Sequence, residues 1–149
     1  MIKEFERYHG VALARLVHGS KIPVSIEPYP SKYNASYILN EKIGLYVKYS
    51  KKRLSPWRFS FLKVHQDEIF QMKKLLKEVF IIFVCHDDGL VVLSFDELKT
   101  TLDEEYKEIE WVAIKRRPRQ MYSVSGSDGK LKFKIGENEF PSKIFKRMN

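Results

Sequence analysis

Between residues 42 and 63 the chain reads KIGLYVKYSKKRLSPWRFSFLK. It carries Lys42, Lys48, Lys51, Lys52, Arg53, Arg58 and Lys63 with no carboxylate, and Tyr46, Tyr49, Trp57, Phe59 and Phe61 alternate among them. Cations of this density neutralise phosphates and release counterions, and aromatic faces stack on unpaired bases. Flexible basic tails lack aromatics and solvated helix faces mix both charge signs, so this run reads as a structured surface for an anionic partner. The expected contacts are Lys51, Lys52, Arg53, Trp57 and Arg58, with Tyr49 as a second stacking candidate and Phe59 and Phe61 assigned to the core. A second basic cluster, Lys115, Arg116, Arg117 and Arg119, becomes a second footprint if its hairpin lies beside the first.

The remaining chemically capable residues point elsewhere. His9 and His18 lie nine positions apart, on different sides of any helix, and so do not form a two-histidine metal site. His86-Asp87-Asp88 enters an Asp-Gly turn, where aspartates serve turn geometry. Cys85, the single cysteine, sits inside VFIIFVC and reads as an inert buried thiol. The seven glycines are dispersed, and there is no phosphate-cradling loop and no nucleophile elbow.

The elements that must position these side chains follow from periodicity. Residues 4–18 space Phe5, Tyr8, Ala12, Leu13, Leu16 and Val17 as a helix, with Gly19 as its stop. Residues 37–40 and 44–50 read as two strands, and residues 57–61 as a third; Val24–Ile26 is a further short strand. An amphipathic helix is expected over 65–78, with Ile69, Met72, Leu75, Leu76 and Val79 inward. The continuously apolar residues 79–85 read as a central strand covered on both faces. Asp88-Gly89 turns the chain into a strand over 90–93. Ser94 and Glu97 form a capping box for a short helix ending near Leu102. The segment 96–110 is acidic, with Asp96, Glu97, Asp103, Glu104, Glu105, Glu108 and Glu110, and reads as a solvated face away from any nucleic acid. Strand character returns over 111–135 around Ser127-Asp128-Gly129.

Length and composition bound the class. At 149 residues, 44% hydrophobic and 13% aromatic, the chain suits one domain with its own core. The net charge of +8 draws it to phosphate-rich partners. There is no signal-peptide hydrophobic region and no run of membrane-spanning length, so a cytoplasmic protein with no membrane partner is expected. The expected fold is α/β, with α+β as the alternative. It is one domain over 1–149, a mixed central sheet flanked by helices, with a core over 1–93 and a C-terminal helix and hairpin extension over 94–149.

The order helix, three strands, helix, strand over residues 4–93, with the segment SYILNEKIGLYVKYS at 36–50, resembles the core of the PD-(D/E)XK nuclease-like superfamily, which includes restriction endonucleases and Holliday-junction resolvases. The resemblance implies an acid on one strand and E-x-K on the next, converging on Mg²⁺, with a polar residue from the following helix assisting. Lys48 aligns with the lysine of that motif and Gln66 with the helical polar residue. The sequence departs at the acids: Tyr46 stands in the glutamate position, and Asn34-Ala35-Ser36-Tyr37 holds no carboxylate. A rebuilt metal site would draw on Glu6 and Glu27 beside Lys48. The expectation is a nuclease-like protein that binds nucleic acid, DNA over RNA, without cutting it and without a cofactor. The alternatives are an active Mg²⁺-dependent endonuclease and a protein-interaction subunit of a nucleic-acid-processing or defence system. A homodimer or a protein partner stays open.

Overall fold

The apolar run at 79–85 becomes β5 (Glu78–Cys85), and its position explains its composition. In the computed structural model, which describes residues 1–107 and 109–148, this strand lies between two others, and only Glu78 of it is more than marginally exposed. Glu108, counted above among the acids of 96–110, lies outside the described residues. β5 pairs in parallel with β3 (Ile43–Ser50) and antiparallel with β6 (Gly89–Ser94). On the other side of β3 come β2 (Ser36–Leu39) and then β1 (Ile26–Pro28), both antiparallel to their neighbours. The first sheet therefore runs β1-β2-β3-β5-β6. The fold is mixed α/β in a single domain, as expected from the sequence.

Helices cover both faces of this sheet. α1 (Glu4–Gly19) lays Ala12 and Leu16 against Leu45, Val47, Phe80 and Ile82. α2 (Lys63–Leu75) lays Ile69 and Met72 against the opposite face, with Tyr46, Ile81 and Phe83. Strand alternation sets this division, since successive side chains of β3 and β5 point to opposite faces. Two residues that periodicity places with the apolar positions, Val17 of α1 and Leu75 of α2, are exposed, while the polar His9 and Gln66 of these helices are buried. α3 (Phe95–Thr101) starts at the expected capping box: Ser94 N donates to Glu97 Oε1 at 2.8 Å and Glu97 N to Ser94 Oγ at 3.2 Å.

The third strand of the basic run does not join this sheet. β4 (Trp57–Phe61) pairs with β7 (Glu110–Lys115), which continues through β8 (Ser123–Gly126) to β9 (Gly129–Lys130). The second sheet, β4-β7-β8-β9, thus joins a strand of the 1–93 segment to the C-terminal segment. The reason is visible in its alternation: Trp57, Phe59 and Phe61 are buried on one face while Arg58 and Ser60 are exposed, a one-sided strand suited to cover a core and not to lie within it. α4 (Glu139–Phe145), which the periodicity of the C-terminal segment does not announce, closes the fold beside β6, where Lys143 Nζ donates to Val92 O at 3.2 Å.

β8 lies so close to α3 that its glycine is obligatory. A Cβ on Gly126 would collide with the Thr101 carbonyl and stand 2.7 Å from the Thr101 Cβ. Because backbone is the obstacle, Gly126→Ala is expected to destabilise by about 1–3 kcal/mol, the usual cost of overpacking, measured as a lowered thermal midpoint. No helix among the described residues is long and apolar enough to cross a membrane.

Candidate nucleic-acid interface and the pocket at Lys48

The pairing of β4 with β7 decides where the basic clusters lie. Trp57 stands opposite Ile114, so residues 51–56 and 115–121 leave the second sheet at the same end. Arg116 N donates to Ser55 Oγ at 3.1 Å and ties the two segments together. A cleft of about 400 Å³ opens beside this junction, walled by Lys115, Arg116, Arg117, Gln120 and Lys134 with Ser55 from the first segment, and among the described residues no carboxylate lines it. The two clusters expected from sequence therefore meet at one end of the second sheet.

Not all their members face outward. Lys115, Arg117 and Arg119 are exposed, as are Lys51, Lys52 and Arg53. Arg58 is exposed on the outer face of β4, its guanidinium 4.6 Å from the Trp111 ring. Lys51 makes a surface ion pair with Glu4 at 3.3 Å, a contact weak enough to exchange for a phosphate. Lys52 Nζ donates to Pro56 O at 3.0 Å.

Trp57 and Arg116 belong to the fold instead. Trp57 is 1% exposed and its indole Nε1 donates to Lys52 O at 2.8 Å, so it anchors the loop and has no free face for a base. Tyr49, the other stacking candidate, is already stacked on Tyr8 at 4.5 Å. Arg116 donates to Asp88 Oδ2 at 2.7 Å and Glu137 Oε2 at 3.2 Å, and lies over Tyr122. Lys134, which the sequence reading missed, lines the cleft beside the exposed Met121; Phe133 next to it is also exposed. The alternation Lys130, Lys132, Lys134 around Phe133 was its signal.

A second site lies where β2 ends and β3 continues. The β2–β3 register closes at Ser36 opposite Tyr46, while β3 runs on to Ser50. The gap opens a pocket of about 310 Å³ lined by Phe5 and His9 from α1, Asn34, Tyr46 through Tyr49, and His65 from α2. Lys48 is its cation. Its Nζ donates to Ser60 O at 2.6 Å, lies 3.2 Å from His65 Nδ1 and sits over Phe61. Burial pushes its ammonium down to about 8. His65 Nδ1 also accepts from Leu62 N at 3.1 Å, closing the start of α2. Burial, reinforced by the charge of Lys48, pushes His65 down to about 4. His9 is 4% exposed, shares a hydrogen bond of 2.8 Å with the Tyr37 hydroxyl, and is likewise pushed down to about 4 by burial. Both imidazoles are neutral at pH 7.

The rebuilt metal site of the sequence reading does not assemble here. Glu6 accepts from Lys3 N at 2.9 Å and serves the first turn of α1. Glu27 is exposed on β1 opposite Ile38, which is opposite Gly44. Lys48 stands four residues farther along β3, roughly 13 Å at strand rise. Gln66 is buried against Ile69, Phe70, Phe95 and Leu98, so the α2 residue that meets Lys48 is its neighbour His65. Glu68, the carboxylate whose charge reaches Tyr46, accepts hydrogen bonds from Ser31 and Ser36. Tyr46 is 1% exposed and burial raises its phenol far above the usual range, so it offers no anionic oxygen. Mg²⁺ needs charged hard oxygens, and this pocket does not fit it. Among the described residues Asp103, Glu110 and Asp128 do come together. Their oxygens are engaged locally: Asp128 accepts from Asp103 N at 3.1 Å, and Glu110 from Lys107 N at 3.0 Å and from Ser127.

No family model, no curated protein and no solved structure matches the chain.

Proposed function

We propose that this protein binds nucleic acid through the face where residues 51–58 and 115–119 meet, on a nuclease-like scaffold that does not use a metal to cut its ligand. The observation that carries this reading is the β4–β7 pairing, which brings two basic segments roughly 60 residues apart to the same end of the second sheet, beside a cleft lined by Lys115, Arg116, Arg117 and Lys134. Lys51, Lys52, Arg53, Arg58, Lys115, Arg117, Arg119 and Lys134 supply phosphate contacts. The exposed Leu54, Met121 and Phe133 lie among these cations in sequence and offer apolar contact to sugars or bases. The order β1-β2-β3, α2, then β5 parallel to β3 supports the scaffold part of the reading, and the carboxylate-free Lys48 pocket supports the absence of metal-dependent cutting. DNA is the preferred ligand.

The test is a gel-shift titration with duplex DNA, single-stranded DNA and RNA at about 50 and 200 mM salt, where binding is expected to weaken by roughly a hundredfold or more if about five phosphates are engaged. Replacing Lys115, Arg117 and Arg119 by alanine together is expected to reduce the log–log salt slope by about one for each phosphate that these side chains neutralise. Absence of binding at low salt, or a slope indifferent to the triple substitution, sinks the proposal. A stoichiometric acidic protein that displaces the DNA would point to a protein partner for the same face.

A further inference from the structure

We propose that Lys48 is an amine nucleophile whose pocket captures, as an imine, the aldehyde of a ring-opened abasic sugar in nucleic acid. The inference rests on the nucleic-acid reading for its substrate but on a different site for its chemistry. Lys48 lines an open pocket of about 310 Å³, room for one sugar, whose walls are largely aromatic. Two acceptors fix Nζ, Ser60 O at 2.6 Å and His65 Nδ1 at 3.2 Å. His65 Nδ1 accepts from Leu62 N as well, so that ring nitrogen carries no proton. A neutral amine has two N–H groups and one lone pair; these two acceptors hold the N–H groups and leave the lone pair for a carbonyl carbon. Among the described residues no carboxylate lines the pocket to pin the group as a cation.

The choice of carbonyl follows from place. Tyr49, which lines the pocket, and Lys51 of the basic loop both meet the Glu4 carboxylate, at 2.9 and 3.3 Å, so the loop lies at the rim of the pocket and a polyanion held by the loop presents its sugars there. Intact nucleotides have no aldehyde, whereas a sugar that has lost its base exposes one at C1′ when its ring opens. The Nζ lone pair forms the N–C1′ bond as the carbonyl π pair moves to oxygen. His65 Nδ1 takes the two protons that nitrogen releases in turn and passes each to that oxygen, the first giving the carbinolamine hydroxyl and the second letting it leave as water as the nitrogen pair forms the C=N bond. The product is an imine and one water, with no oxidant or reductant. Lowered basicity supports this use: with Lys48 near 8, about a tenth of it is neutral amine at pH 7, roughly a few hundred times the fraction of an ordinary lysine.

The experiment incubates the full chain at pH 7 with an abasic-site oligonucleotide or its intact counterpart, adds cyanoborohydride to reduce any imine, and maps the adduct by peptide mass spectrometry. A covalent adduct at Lys48 is expected with the abasic strand alone, at least tenfold faster than at Lys51 or Lys52, its rate rising with pH and levelling above about 8. Lys48→Arg, which keeps charge but not nucleophilicity, is expected to abolish it. No adduct, or one spread over the exposed lysines, overturns the proposal. A gel shift of the intact oligonucleotide on the same sample separates the two readings: a shift without an adduct overturns this inference and leaves the basic face standing. Propanal in place of the abasic strand tests the amine alone. Selective labelling of Lys48 by propanal without capture of the abasic strand overturns the abasic substrate.

Discussion

Trp57→Ala is expected to lower the unfolding free energy by about 3–5 kcal/mol, the usual cost of deleting a large buried ring from a packed core. Trp57 is the largest of the fully buried side chains; it stands at the start of β4, against Tyr122, and its Nε1 holds the Lys52 carbonyl. The conservative Trp57→Phe keeps most of the apolar burial but leaves that carbonyl to water, and a loss nearer to about 1–2 kcal/mol is expected. Urea unfolding followed by circular dichroism distinguishes the pair. If Trp57→Ala were to leave stability unchanged while weakening binding to single strands, the ring would be a stacking surface after all.

Arg116→Ala is the second large effect, with an expected loss of about 2–4 kcal/mol from stranding one member of a largely buried pair, which costs more than the pair contributes. The Arg116 side chain is only 10% exposed and links the turn before β6 to the second sheet through Asp88, Glu137 and the ring of Tyr122. Removing the guanidinium leaves Asp88 with the Tyr122 hydroxyl, at 2.7 Å, as its other side-chain partner. The partial exposure of Asp88 and Glu137 moderates the loss. At about 2–4 °C per kcal/mol for a domain of this size, the thermal midpoint is expected to fall by roughly 5–15 °C. Arg116→Lys keeps the charge without the planar fork and is expected to recover only part of the loss. Neighbouring Arg117→Ala provides the contrast: no change in stability beyond about 0.5 kcal/mol, with a weaker grip on DNA.

These two residues show where sequence reasoning reaches its limit. Trp57 and Arg116 each sit in a basic run, and composition alone assigns them to an interface with their neighbours. Only the partners across the fold remove them: Lys52 O and Tyr122 for the tryptophan, Asp88 and Glu137 for the arginine. Gln66 and His65 make the same point on a helix. One residue's shift rotates a side chain by about 100°, and that step turns Gln66 into the α3 contact and gives Lys48 to His65.

The chain's linear order was sufficient for its local elements. Period and punctuation located α1, β3, β4, α2, β5, the Asp88-Gly89 turn and the Ser94–Glu97 cap, because each depends on residues within a few positions of one another. α4 was not legible, since it is short, is interrupted by the non-helical backbone of Phe140 and contains a proline. The grouping of strands into sheets was decided by tertiary structure. β4 has a strand's alternation whichever sheet it joins, and its pairing with β7 spans some fifty residues that no local pattern records. Charge followed the same division: the sequence determined that the protein is basic and that Tyr46 stands in the glutamate position two residues before Lys48. The fold decided which cations face water, and that Lys48 is held between Ser60 and His65 in a pocket where burial lowers its basicity. Desolvation and long-range hydrogen bonds are properties of what surrounds a residue in space, and sequence neighbours do not contain them.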